Sequence, residues 1–258
     1  MDETQEPKKS NKTAIGAVIG VIALLLAKSK GILVLLKGLS SGKVLLSLGS
    51  MLAMVWVLAR ESGWWFGVGF VLMLLIHELG HGWAIKREGL SAGYPIFIPF
   101  LGAMIALKGQ PRNSLVEARI AIAGPMAGTA AALGATSLYL ATDQRLYLAI
   151  AYSGYFLNLF NLVPISPLDG GRVAKMFSRR IWILGLALLA GLALVHLSIP
   201  LIIIGLFALM NSLRPQPPGP DEHEVSQRDR VNMAANYFGL AAFLAVGMYF
   251  AGILLHQN

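Results

Sequence analysis

Residues 64–85 read Trp-Trp-Phe-Gly-Val-Gly-Phe-Val-Leu-Met-Leu-Leu-Ile-His77-Glu78-Leu79-Gly80-His81-Gly-Trp-Ala-Ile. The run is apolar enough, and long enough at about 20 residues, to cross a bilayer. Its only ionisable side chains are His77, Glu78 and His81. On a helix, residues four apart share a face, so His77 and His81 can hold one Zn²⁺. Glu78, about a third of a turn round, then sits beside the metal's water. Ionisable groups at membrane depth cost several kcal/mol and usually carry function. The stretch therefore argues for a water-using metal site inside a membrane protein.

The rest of the chain agrees with that environment. Of its 258 residues 56% are hydrophobic and 13% charged, with a mean hydropathy of +0.65. Soluble domains carry about a quarter charged residues. Cysteine is absent, so a metal must be held by nitrogen and oxygen. The net charge of +8 reads as membrane topology, and no nucleic-acid partner is expected.

Apolar segments at 44–59, 64–85, 118–141, 146–165, 173–197, 199–213 and 231–255 predict an all-α polytopic membrane protein with about six to seven transmembrane helices. The run 181–213 has no Asp, Glu, Lys or Arg and is read as a hairpin turning near Ser198-Ile199-Pro200, with one kinked helix as the other option. With a cytoplasmic amino terminus, all of the 21 lysines and arginines except Arg60 and Arg145 fall on the inner side. Residues 1–43 form a basic amphipathic segment suited to the anionic leaflet. Residues 44–213 are the catalytic transmembrane core, 214–230 a Pro- and Gly-rich cytoplasmic linker, and 231–258 a C-terminal transmembrane helix.

A catalytic zinc needs a third protein ligand. The candidate is Asp169, in Asn161-Leu-Val-Pro164-Ile-Ser-Pro167-Leu168-Asp169-Gly170-Gly171. Pro164 and Pro167 remove backbone donors, so the helix begun near Arg145 should break there. Irregular backbone at membrane depth survives where protein or a wet cavity surrounds it. The charge pattern puts His77–His81 and Asp169 toward the cytoplasmic ends of their helices, at one depth.

Together these motifs resemble the site-2 protease family of intramembrane zinc metalloproteases, through His77, Glu78, His81, Asn161, Pro164, Leu168, Asp169 and Gly170. Gly124-Pro125-Met126-Ala127-Gly128 is similar to that family's Gly-Pro motif. The resemblance implies one Zn²⁺ bound by His77, His81 and Asp169, water activation by Glu78, and oxyanion stabilisation by Asn161. It also implies cleavage of transmembrane protein substrates, single-pass regulators in such families. Many relatives carry a PDZ or CBS domain; no segment here is long enough for one, so recognition is expected to rest on the membrane core or on a regulatory membrane partner.

Residues Tyr94–Leu107, divided by Pro95, Pro99 and Gly102, suit a short β-hairpin or re-entrant segment near the site, either pairing with an unwound substrate or serving as an apolar plug. Gly124, Ala127, Gly128 and Ala131 read as close helix packing, and Asn158 as sharing a polar face with Asn161 or making a helix–helix hydrogen bond. Arg112, Arg119 and Arg172 read as interfacial anchors; His196, His223 and His256 do not read as ligands. Trp56, Trp64 and Trp65 read as interfacial belt residues. Two rivals remain: a metal or ion transporter, and a proteolytically silent scaffold. A transporter needs polar residues through the bilayer and often repeated halves, neither of which is seen, and a scaffold has no need of Glu78.

Overall fold

The computed structural model describes residues 42–99, 102–177 and 225–257, with isolated positions between 185 and 210. The chain divides into two compact units between Leu48 and Gly49. Of the first unit only the opening residues of one helix are described; the second, Gly49–Asn258, holds the remaining described elements. The N-terminal segment up to residue 41, most of the hairpin expected over 181–213, the linker as far as residue 224, and His196 and His223 lie outside the described residues.

The elements are α1 (Gly42–Ser62), α2 (Trp64–Arg87), β1 (Ser91–Ile98), β2 (Gly102–Lys108), α3 (Ser114–Thr142), α4 (Arg145–Asn161), α5 (Asp169–Ala174) and α6 (Gln227–His256). Among the described residues, α1, α2, α3 and α6 are long and apolar enough to cross a membrane by length and composition. Four such helices stand where the sequence predicts six to seven spans; the segments expected at 173–197 and 199–213 lie largely outside the described residues, and α4 has 17 residues. The structure is otherwise helical, and the short hairpin expected within Tyr94–Leu107 is present: β1 and β2 pair as an antiparallel two-stranded sheet.

Local chemistry sets the boundaries. Only Gly63 separates α1 from α2, and its φ of 88° is a conformation that side-chain-bearing residues adopt with strain. Asn113 caps α3, its side chain accepting from the Val116 N–H at 3.0 Å. Helix α4 ends at Asn161, four residues short of the expected 165. Pro164 and Pro167 have no N–H, and the residue before a proline is pushed out of the helical region. The chain then makes tight turns, with Ile165 N–H donating to Val163 O and Leu168 N–H to Ile165 O, before α5 starts at Asp169. Helix α6 starts at Gln227 rather than 231, because Ser226 caps it by accepting from the Asp229 N–H.

Helix α2 lies along α3, α3 along α4, and α4 along α6, while the hairpin rests on α2 and α5 on α3. Small side chains permit this: Ala118, Ala121, Ala132 and Ala151 are fully buried where helices meet. A Cβ on Gly80 would lie 2.5 Å from the Ala123 carbonyl oxygen, so α2 and α3 touch backbone to backbone there. The outer faces are different. Trp65, Leu52, Leu140 and Tyr249 are all more than 60% exposed, a large apolar surface that suits lipid rather than water.

Candidate metal centre

His77 and His81 lie one turn apart on α2, both buried, and Asp169 arrives from the first residue of α5. The loop that delivers it is built on glycine. A Cβ on Gly170 would fall 2.1 Å from the Leu162 carbonyl oxygen, and one on Gly171 would fall 2.4 Å from the Ile165 carbonyl carbon. Without side chains at 170 and 171 the turn folds back over the start of α5.

The three side chains converge. His77 Nε2 and His81 Nε2 are 3.1 Å apart, and Asp169 Oδ2 lies 3.2 Å from the first and 3.1 Å from the second. Their hydrogen-bond partners determine which atoms carry protons. His81 Nδ1 donates to the Ile120 carbonyl at 2.8 Å. His77 Nδ1 donates to Asn158 Oδ1, also at 2.8 Å. The Asn158 amide is itself oriented, because Nδ2 donates to the Gly154 carbonyl at 2.7 Å. With the Nδ1 proton so engaged, the neutral form of each imidazole presents the lone pair of Nε2 inward, beside the Asp169 carboxylate.

In that neutral form the two Nε2 atoms and Asp169 Oδ2 are three acceptors at hydrogen-bond distance, and a cation bound among them satisfies all three. Tetrahedral bonds of about 2.1 Å put ligand atoms about 3.4 Å apart, close to the separations found. The donor set of two imidazoles and one carboxylate fits a small divalent metal, and these three are the group of the described residues arranged to hold one.

Glu78 is buried beside the triad. The backbone N–H of Ile105 in β2 faces its carboxylate, while Oε2 has no hydrogen-bond partner among the described residues. Pro95, the register partner of Ile105, has no N–H to offer the Ile105 carbonyl, and the pairing of β1 with β2 is irregular between Ala92 and Pro95.

Asn161 is half-buried at the end of α4, its amide donating to the Leu157 carbonyl at 3.2 Å. Asn158, one turn earlier, is the asparagine that touches a metal-binding candidate. Gly124 and Gly128 do pack closely, and what they pack against is the centre: a Cβ on Gly124 would lie 2.2 Å from His81 Nε2, and one on Gly128 2.1 Å from Asn158 Oδ1.

Sequence reasoning missed three supports. Glu117 on α3 pairs with Lys175 at 2.8 Å and Arg172 at 3.6 Å, fastening α5 to α3. From α6, the Tyr237 hydroxyl donates to the Leu162 carbonyl and the Arg230 guanidinium to the Met176 carbonyl. Glu117 carried a signal, as an acid in the first turn of an otherwise apolar helix. Arg119 pairs with Glu88 at 3.7 Å, and His256 bonds within its own helix.

A family profile, Peptidase family M50, matches residues 65–144, the stretch holding His77, Glu78, His81 and the Gly124–Gly128 motif. Over that stretch the chain resembles the site-2 protease family. Among proteins similar to it are one from Mycobacterium tuberculosis bearing the zinc metalloprotease name Rip3, 33% identical over 126 residues, and a zinc metalloprotease of Methanocaldococcus jannaschii, 30% identical over 125 residues. These alignments cover 44% and 45% of this chain but only 32% and 35% of the relatives, so the match spans about a third of their length. A solved structure, the site-2 protease of M. jannaschii, aligns with a TM-score of 0.39 and 19% identity over 74% of this chain and 84% of that one. The profile ends at residue 144, so Asp169 lies outside the matched stretch, and its place beside His77 and His81 is given by the distances above.

Proposed function

We propose that the chain is an intramembrane zinc metalloendopeptidase that hydrolyses peptide bonds in or near transmembrane segments of other membrane proteins, single-pass ones in particular. One observation carries the reading: two inward imidazole Nε2 atoms and a carboxylate oxygen meet within 3.2 Å, and beside them is buried a glutamate oxygen with no partner among the described residues. His77, His81 and Asp169 would hold the zinc, which when bound supplies Lewis acidity that makes water nucleophilic near neutral pH and polarises the scissile carbonyl.

The protein's own groups do the proton work. Glu78 Oε2 takes one proton from the attacking water and passes it to the amide nitrogen as the C–N bond breaks, leaving a carboxyl terminus and an amine. Its lack of a partner leaves that oxygen able to accept, and the Ile105 N–H holds the carboxylate in place. Asn161, released from the Leu157 carbonyl, would donate its amide hydrogen to the developing oxyanion.

A transmembrane helix hides its peptide bonds, so the substrate must unwind near the triad. The edge of β2 on the Ile105 side, where alternate residues Ala103 and Leu107 share its orientation, offers backbone groups for such a strand. In this reading the centre lies toward the cytoplasmic side, as the distribution of lysine and arginine suggests.

The test is cleavage of a transmembrane peptide by the purified chain in liposomes, with and without chelator, beside Glu78→Gln. Cleavage lost in both cases supports the protease. Metal flux without cleavage favours a transporter, and neither activity favours a scaffold.

A further inference from the structure

We propose that Asn158, which lies outside the expected ligand set, is the positioning residue for His77 and sets the affinity of the centre for its metal. The proposal rests on the zinc reading of the triad. Asn158 is fully buried on α4, 81 residues from His77 in sequence, and its Oδ1 accepts from His77 Nδ1 at 2.8 Å. The bond from Nδ2 to the Gly154 carbonyl stops the amide from presenting its NH₂ to the imidazole. His77 is thereby held with a proton on Nδ1, which in the neutral imidazole leaves Nε2 free for a metal. Metal-binding imidazoles commonly depend on such a partner for tautomer, ring orientation and basicity.

The two histidines are supported differently. His81 leans on a main-chain carbonyl, Ile120 O, which no side-chain substitution deletes. His77 leans on a side chain, so its support is the adjustable one. The protein also makes room for it: Gly128 on α3 faces Asn158 so closely that a methyl group there would overlap both amide heteroatoms. Gly154, Asn158 and Gly128 thus form a fitted seat for one amide, between the helix that bears the imidazoles and the loop that bears Asp169. A helix–helix hydrogen bond with no bearing on the metal would require neither the fixed amide nor the inward Nε2.

The experiment uses the full chain purified in detergent and compares wild type, Asn158→Leu and Asn158→Asp. Zinc affinity is read by chelator competition, the ligand field by the visible absorption of the Co²⁺-loaded protein, and folding by thermal melting without metal. Leucine has a similar shape and no acceptor; it should weaken zinc binding by about 10–100-fold and alter the Co²⁺ spectrum. Aspartate keeps an acceptor oxygen at that place and should recover most of the affinity. Wild-type affinity in Asn158→Leu overturns the proposal, as does a loss in both variants that follows their metal-free melting temperatures, which would mark a packing role. Should wild type and His77→Ala bind zinc equally poorly, the zinc reading falls and this proposal with it, a result distinct from failure at Asn158 alone.

Discussion

The Tyr237 hydroxyl on α6 donates to the carbonyl of Leu162, the residue at which α4 stops and the turn toward Asp169 begins. Tyr237 is buried, and Arg230 on the same helix binds the Met176 carbonyl beyond α5, so α6 grips the loop at both ends. Tyr237→Phe leaves the ring in place and a carbonyl without its donor. The expected cost is about 1–3 kcal/mol of stability, seen as a lowered melting temperature in detergent. Its effect on zinc affinity should be smaller than that of Asp169→Asn.

Glu78 and the three ligand candidates should separate cleanly in two measurements. Glu78→Gln keeps a side chain of the same shape but cannot take a proton; it should bind zinc like wild type and lose cleavage by about 10²–10⁴-fold. His81→Ala and Asp169→Ala should lose both metal and cleavage. Metal analysis of the purified variants beside a peptide cleavage assay reads the two effects independently.

A pair of glycine substitutions on α3 tests the close approach at the centre. A Cβ on Gly124 would sit 2.2 Å from His81 Nε2, whereas nothing lies within 4 Å of one on Gly134. Gly124→Ala should depress zinc affinity and activity. Gly134→Ala should be neutral, or stabilise the helix by up to about 1 kcal/mol.

Substitution in the hairpin tests strand pairing by the substrate. Ala103 has the same orientation along β2 as Ile105, so Ala103→Pro removes a backbone donor from the edge beside Glu78. Turnover of a transmembrane peptide should fall while zinc content stays unchanged; turnover equal to wild type would mean that the substrate does not pair along this edge.

Helix positions were readable because α1, α2, α3 and α6 announce themselves by apolar length, and His77, Glu78 and His81 by being charged or titratable within it. Asp169 was also legible, since two prolines and two glycines around one carboxylate mark a deliberate break. The partner of His77 was not. Asn158 and Asn161 are equally polar on one helix, and which of them reaches α2 depends on the rotation of α4 against its neighbours, a tertiary quantity that no local pattern encodes. For the same reason Gly128 read as generic packing, although the space it leaves is filled by the Asn158 amide. The early end of α4 at Asn161 reflects the reach of Pro164 on the residues before it, which a hydropathy run overlooks.

Because His81 and Asp169 are 88 residues apart, the order of synthesis matters. The ribosome finishes the imidazole pair and the glutamate well before the carboxylate that completes the set, an interval of about 4–18 s at ordinary elongation rates. Throughout that time the growing chain lacks the third candidate ligand. Under the proposed function it is unarmed until then, and a product truncated anywhere before Asp169 would have no cleaving activity.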